Sequence, residues 1–550
     1  MTDTTGFSLR GLLADTTPVI WLITAAWTLL LCLWSVLPPL FHAPDEPQHV
    51  DAILDAVGRP PLVWVTPTGD VMDTAVVEAE EQYGYLARDP ANSDLFLADR
   101  RTDGRRAVDA LPREARPSYA ELQFSDRLPS TRVNQMYQHP PLYYRLASWV
   151  VGQVPDWQDV AFDRLVGGMR LLSAAMMALL PMIMAALARA FDDRPGIEHA
   201  SALSPFVLPQ LAHIGSVTSN DGLLVTLSAL LTLLLVRVHR GDLSPRTSYW
   251  TGGVLLAALL TKGFALFLVL AVLAAHVGAV RVSGRGVRAA VSSLVRVGGV
   301  AAASVLWYGE NFLRFDSLQP SVAPPPLADV HGPVGDWLRR VWIIQTQTFW
   351  GRIGWTETGF SEAAATWLSV VFVLVVLVGV RGRTSSQLTT LLLPGSLIVA
   401  ITVVQSWAYF DTDRTIRAVH GRYFWVSLAG LLVVAAAGAQ RLLRQRHLER
   451  WTWVAVLGAA VWLHAVTVTT AVRHFWTTPE ASSLLDGGRT LLVWQPWPPR
   501  LVMAIGALFV LSGLEVVRRL VLLSRRTAVT APLAEQERAE ADDDQHGVTA

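Results

Sequence analysis

Three observations predict an all-α polytopic membrane protein with about twelve transmembrane helices. The 550 residues are 52% hydrophobic and only 16% charged, with a mean hydropathy of +0.36, whereas a soluble chain carries about a quarter charged residues. The apolar residues gather in long runs, and the ionisable ones fall between them. Many of the 21 tryptophans stand near the ends of those runs, where an indole anchors at the membrane interface. Zero net formal charge leaves no basic surface for nucleic acid. The single cysteine, Cys32, excludes an intrachain disulfide.

Residues 1–17 precede a first span at 18–37. No small-residue cleavage site accompanies that span, so it reads as an uncleaved anchor. Further spans fall at 165–190, 199–217, 222–238, 249–261, 263–281 and 288–307, then at 364–380, 387–408, 423–440, 452–471 and 500–522. Most approach the ~20 residues that a bilayer requires. Lys262 divides the run 249–281, which other divisions also fit. Residues 142–154 are apolar but too short to span, and predict an interfacial or re-entrant helix.

The basic loops "RVHRG", "RVSGRGVR", "RGR" and "RLLRQRHLER" share one side with "RRLVLLSRR". The positive-inside bias makes that side cytoplasmic. Both termini then lie inside an integral plasma membrane protein, and 38–164, 308–363 and 472–499 lie outside. Spans occupy 165–307 and 364–522 around the later outer loops. The first outer segment is rich in charge, proline and aromatics, and reads as a loop domain carrying short amphipathic helices. The tail 523–550, with "EQERAEADDDQ", predicts a disordered cytoplasmic end.

Residues 41–50, "FHAPDEPQHV", place Asp45, Glu46 and His49 just beyond the first span, on backbone stiffened by Pro38, Pro39, Pro44 and Pro47. Adjacent carboxylates at a membrane edge cost repulsion and desolvation, and are better tolerated if they serve a substrate or a cation. The plainer reading is that loops simply carry acidic residues. "NQMYQHPPLYYRL" brings His139 before two prolines; an aromatic belt explains Tyr143 and Tyr144 but not His139. "SNDGLL" offers Asn220 and Asp221, which a capped turn explains equally well. "LLTKGFA" sets Lys262 in apolar sequence, where snorkelling is the alternative to a site. "HGRYFWV" offers His420, Arg422 and Tyr423, or an interfacial anchor. His213, with Gln210 in an apolar span, and also His276 and His464, read as helix–helix hydrogen bonds. All five motifs map to the outer end of the expected bundle.

In that order, "APDEPQH", "QHPPLYY", "SND", "TK" and "GRY" resemble the GT-C superfamily of membrane glycosyltransferases. Protein O-mannosyltransferases and lipid A aminoarabinose transferases place an acidic motif after the first span and an HPPL-like motif later in the same loop. The motifs look closer still to a bacterial GT-C-like group of membrane proteins. The resemblance covers about residues 18–430 and does not extend to the last two spans.

It implies transfer of a sugar from a polyprenyl-phosphate donor to an acceptor hydroxyl at the extracytoplasmic face, with inversion. Asp45 would be the general base, with Glu46 orienting it, binding a sugar hydroxyl or helping to hold a cation. Arg422 and Lys262, then Arg339, Arg340 and Arg352, would meet the leaving phosphate. His49, His139, Asn220, Asp221 and Tyr423 complete the substrate-binding set, although Tyr423 is better explained as an anchor. Trp350 and Trp355 suit stacking on a sugar. A divalent cation held by Asp45, Glu46, His49 and His139 stays open, since superfamily members differ and the spacing matches no closed zinc site. The acceptor would be a glycan, a glycolipid or a protein, with cell-wall polysaccharide among the glycans. Three rivals remain: a transporter or flippase for a lipid-linked glycan, a polysaccharide polymerase or ligase, and a receptor whose 38–164 segment binds a partner. A transporter would centre its polar residues near the midplane. A polymerase or ligase would carry its large loop late in the chain.

Overall fold

The structure, a computed structural model, describes residues 6–59, 71–83, 86–88, 95–97, 111–123, 132–320, 332–444, 448–478 and 481–546. The apolar runs fold as helices because a bilayer offers no partner for backbone N–H and C=O groups. Among the described residues, nine helices are long and apolar enough to cross a membrane. They are Phe162–Phe191, Asp221–His239, Gly263–Arg281, Val287–Phe315, Glu362–Gly379, Ser385–Thr412, Gly421–Arg444, Glu449–Trp476 and Pro499–Arg525.

The other three expected spans are shorter or interrupted. The first is Pro18–Trp34, of 17 residues. The segment expected at 199–217 breaks into Ile197–Leu203, a 3-10 turn Ser204–Val207 and Pro209–Gly215. Pro205 and Pro209 cause the breaks, because neither can donate into a helix ladder. The segment expected at 249–261 is the helix Pro245–Leu259. It stops before Lys262, whose backbone is extended, and a 3-10 turn Gly263–Phe267 leads into Leu268–Arg281.

Two boundaries move. Helix Val305–Phe315 extends past the expected start of the outer segment at 308. The last helix runs Pro499–His546 instead of ending in a structureless tail; its Ala, Glu, Arg and Leu residues are good helix formers.

Segment 38–164 has a core of its own. Phe41, Val50, Ile53, Met72, Val76, Tyr143 and Phe162 are buried together. Helices Glu46–Asp55, Thr74–Gln82 and Leu142–Val151 supply most of it. A two-stranded hairpin pairs Leu86–Arg88 with Leu95–Leu97, an element the helical expectation lacked. Leu142–Val151 buries Tyr143, Tyr144 and Ala147, and exposes Leu146, Trp149 and Val150, the two faces of an amphipathic interfacial helix.

The segments 38–164, 308–363 and 472–499 meet at one end of the bundle, where His42 lies 2.8 Å from Glu357. Arg116 pairs with Asp163 and donates to the Val493 carbonyl at 2.8 Å, and Arg113 donates to Leu492 O at 2.5 Å. The short basic loops meet at the other end: Arg383 pairs with Asp192, and Phe7 N donates to Thr247 Oγ1 at 2.9 Å.

Candidate functional site

The turn that bears the acidic motif is built from prolines and two left-handed residues. Phe41 has φ +67° and Asp45 φ +59°, a region disfavoured for residues with a Cβ and concentrated at functional sites. Pro47 stands in the first turn of helix Glu46–Asp55, where its missing N–H costs nothing. The Asp45 carbonyl accepts from His49 N at 3.0 Å, which starts the helix.

The two carboxylates of the motif face opposite ways. Glu46 is fully buried. Its oxygens accept from Arg170 Nε at 2.7 Å and Nη2 at 2.6 Å, from Phe41 N at 3.0 Å and from Thr218 N at 3.1 Å. Arg170 also donates to the carbonyls of Ser35 at 2.8 Å, Pro38 at 2.9 Å and Pro39 at 2.9 Å. The expectation that Glu46 touches substrate or a cation is therefore corrected. Its lone pairs are occupied, and it ties the end of the first helix to the acidic turn.

Asp45 keeps 23% of its side chain exposed and looks into a charged cluster. Its Oδ1 accepts from Gln135 Nε2 at 3.2 Å, and its Oδ2 lies 3.8 Å from Arg422 Nη2. Asp221 stands across from it: Oδ1 is 2.6 Å from Lys262 Nζ, and Oδ2 is 3.7 Å from Arg422 Nε. Arg422 is thus held between two carboxylates without a close bond to either, and its buried Nε has no hydrogen-bond partner. Burial pushes the Asp45 carboxyl above its ordinary range, while Arg422 and Lys262 pull it back.

Three imidazoles flank the cluster. Burial, with Lys262 nearby, pushes His49 down to about 3. Burial carries His139 well below its usual value, and burial with Arg422 takes His420 to about 3. All three rings are neutral near pH 7. His49 and His139 lie nearly parallel with centroids 6.4 Å apart, and His49 Nδ1 hydrogen-bonds the Tyr144 hydroxyl at 2.9 Å. His139 Nδ1 is buried without a partner.

Asn220 is the N-cap residue of helix Asp221–His239 and donates to Thr261 O at 3.3 Å, while its buried Oδ1 is unpartnered. Tyr423 packs edge-on to Phe264 at 4.8 Å and near His420 at 5.3 Å. That ring packing accounts for Tyr423 without a ligand. Gly421 lets the "GRY" turn close: a Cβ there would lie 2.2 Å from Gln345 O.

Five residues from four separate stretches of sequence therefore converge: Asp45, Asp221, Lys262, Arg422 and, behind them, Asn220. The other phosphate candidates do not join them. Arg339 pairs with Glu362 and Arg340 with Asp336, both exposed, and Arg352 donates to Thr356 O at 2.7 Å within a hairpin. Trp350 is buried against Phe372 and donates to Ser369 Oγ at 2.9 Å, so it offers no face to a sugar. Among the described residues no three His, Cys, Asp or Glu side chains are grouped to hold a metal ion. Of the four residues considered for a divalent cation, Glu46 turns to Arg170 and His49 Nδ1 to Tyr144. Of the helix–helix histidines, His276 bonds Ser293 Oγ at 3.0 Å, and His464 Nδ1 accepts from Trp34 Nε1 at 3.2 Å. Gln210 accepts from Arg352 N at 2.5 Å.

Sequence reasoning missed Gln135 and Arg170. Gln135 lay inside a quoted motif and carried no charge to mark it. Arg170 sits in an apolar helix, where an unpaired guanidinium is costly; that cost was the available signal.

Fold and site together define an integral membrane protein with a charged cluster at one end of its helical bundle. The chain belongs to the family of predicted membrane proteins DUF2142, whose model matches residues 28–431 and so takes in the whole cluster. It is similar to the crystal structure of ArnT from Cupriavidus metallidurans in the apo state, at 14% identity and a TM-score of 0.34, over 70% of this chain and 67% of that one. No curated protein matches it.

Proposed function

We propose that this protein is a membrane glycosyltransferase that moves a sugar from a polyprenyl-phosphate-linked donor to an acceptor hydroxyl at the extracytoplasmic face. The motif resemblance to GT-C enzymes supports the class. The observation that carries the chemistry is the placement of Arg422, 3.8 Å from Asp45 and 3.7 Å from Asp221 with a free Nε–H. A base and an anion-binding group stand side by side there.

In the step we infer, the acceptor oxygen attacks the anomeric carbon and its proton passes to Asp45. The bond from that carbon to the phosphate oxygen breaks, and the electron pair leaves with the phosphate. A raised carboxyl pKa suits a base working near neutral pH. Arg422 can offer the departing phosphate two parallel N–H bonds, and Lys262 a compact charge. In the resting site Lys262 is closely paired with Asp221, whereas Arg422 is only flanked by carboxylates at 3.7 and 3.8 Å, so the donor phosphate can meet Arg422 without first breaking a close ion pair. One base and one displacement invert the anomeric centre.

Among the described residues no glycine-rich loop leads from a strand into a helix to cradle a nucleotide. A lipid-linked donor places its tail along the apolar spans and its phosphate at the membrane boundary. Purified protein is expected to transfer sugar from a polyprenyl-phosphate donor and to ignore the matching nucleotide sugar. Efficient transfer from the nucleotide sugar without a lipid carrier would overturn this reading.

A further inference from the structure

Three residues before Asp45, His42 is buried at 1% exposure and turns away from the charged cluster. Its Nδ1 lies 2.8 Å from Glu357 Oε1. Glu357 belongs to the second outer segment, in the loop of the hairpin that pairs Arg352–Ile353 with Thr358–Gly359. Its other oxygen lies 3.3 Å from His474 Nε2, in the last turn of helix Thr452–Trp476. One carboxylate thus bridges imidazoles from two distant segments, and the Phe475 ring stands edge-on to both, at 5.5 and 4.7 Å.

The hairpin is itself fastened. Gln210 accepts from Arg352 N at 2.5 Å, Arg352 Nε donates to Thr356 O at 2.7 Å, and Gln347 donates to Phe360 O at 2.9 Å. Burial alone would raise the Glu357 carboxyl, but His42 and His474 hold it well below the ordinary carboxylate range. An ionised carboxylate only accepts, so each ring donates to it: His42 through Nδ1–H and His474 through Nε2–H.

The turn at 41–45 has little to stabilise it internally. Two of its residues are left-handed; among the described residues its only backbone bonds before the helix begins are His42 N to Pro39 O at 3.3 Å and Glu46 N to Ala43 O at 3.2 Å, and the Asp45 carbonyl accepts from His49 N at 3.0 Å in the helix that follows. It is anchored from outside on both flanks of Asp45. Glu46 is tied to Arg170 on one side, and His42 to Glu357 on the other.

We propose that Glu357 is a positioning residue for Asp45: through His42 it locks the acidic turn so that the Asp45 carboxylate faces Gln135 and Arg422. The inference rests on the reading of Asp45 as the base. Glu357 acts only through the turn, and it couples the second outer segment and the outer end of Thr452–Trp476 to the site.

The test uses full-length protein in lipid nanodiscs, with Glu357→Ala, Glu357→Gln and His42→Ala. Hydrogen exchange is followed by mass spectrometry, alongside kcat and donor KM for transfer from a polyprenyl-phosphate sugar. Glu357→Ala should speed exchange in residues 41–50 by about tenfold and leave the spans unchanged. It should lower kcat roughly tenfold to a hundredfold with donor KM nearly constant, because a displaced base weakens the chemical step rather than donor binding. Glu357→Gln, which keeps one acceptor oxygen, should restore part of both. His42→Ala added to Glu357→Ala should do little more than either alone, since the two act as a unit. Unchanged exchange at 41–50 in Glu357→Ala would overturn the proposal. So would a rise across the whole bundle, which would make Glu357 a general support of the fold. A normal kcat in Glu357→Ala would also overturn it. Retained transfer in Asp45→Asn would refute Asp45 as the base instead, and the exchange data would still judge the clamp.

Discussion

Asp45 and Glu46 are chain neighbours whose side chains live in different surroundings, and substitution should separate them. Asp45→Asn removes a proton acceptor while keeping shape, so transfer should be abolished with folded protein retained; wild-type activity in that variant would refute the base assignment. Glu46→Gln breaks a buried bidentate pair with Arg170. Its expected effect is a loss of stability of about 3–5 kcal/mol, the range for leaving a buried charge unpaired. A thermal melt in detergent reads that directly, and an unshifted midpoint would contradict the anchoring role. For Asp45 the pH dependence has a definite sign. The base works ionised and its carboxyl is raised, so activity should climb with pH along a limb whose midpoint lies above the ordinary ~3.9. A kcat/KM profile checks this; a limb at or below the ordinary value would conflict with it. Arg422→Ala should weaken donor use, and Arg422→Lys should recover it only in part, because lysine lacks the planar fork. Normal donor dependence in both would leave Lys262 as the phosphate ligand.

Helices and loops carry predictions of their own. Helix Glu362–Gly379 is exposed over most of its length and reaches the bundle through close backbone contact with Leu428–Arg444. Gly379 and Gly438 make that contact possible. A Cβ at Gly379 would lie 2.1 Å from Val434 O, and one at Gly438 would lie 2.0 Å from Val375 O. Small residues are how membrane helices approach without a hydrophobic drive. Gly438→Leu should therefore detach the helix and lower the melting temperature, while Gly458→Leu, at an open position, should not. In the outer loop, burial raises Asp51 and Glu80 to about 7 each, against the pull of Asp73 N and Asn134 on the first and of Arg132 on the second. Folded protein then binds more protons than unfolded protein between about pH 4 and pH 7. The stabilisation is fully present below the unfolded pKa and is lost as pH rises through 7. Limited proteolysis of the outer loop should be slower at pH 5 than at pH 8. Asp51→Asn with Glu80→Gln should flatten that difference, and equal rates for wild type at both pH values would rule it out.

At the scale of the whole molecule, what could be read from the sequence depended on which physical signal each feature carried. Long apolar runs announce helices because a bilayer permits little else, so the nine long spans were legible. The interrupted region at 197–215 was not, because Pro205 and Pro209 look like ordinary membrane-helix residues until the backbone shows the breaks. Asp45, Asp221, Lys262 and Arg422 were legible because charge in or beside apolar sequence demands a partner. Their partners were not, since residues 45 and 422 meet only through the fold. Glu357 and His42 were missed for the same reason: neither is costly where the sequence alone places it.

The membrane orientation follows from the same asymmetry and has its own test. The charged cluster, the outer-loop core and the three long segments share one end of the bundle, and the arginine-rich short loops share the other. If the basic end is cytoplasmic, a membrane-impermeant thiol reagent on intact cells should label a cysteine at Glu114 and spare one at Gly286, both in a Cys32→Ala background. Both positions are exposed, and a Cβ at Gly286 meets no atom within 4 Å, so neither should disturb packing. Labelling only after permeabilisation should expose Gly286→Cys. The opposite pattern would put Asp45 on the cytoplasmic side, where nucleotide sugars are available, and would remove the reason for a lipid-linked donor.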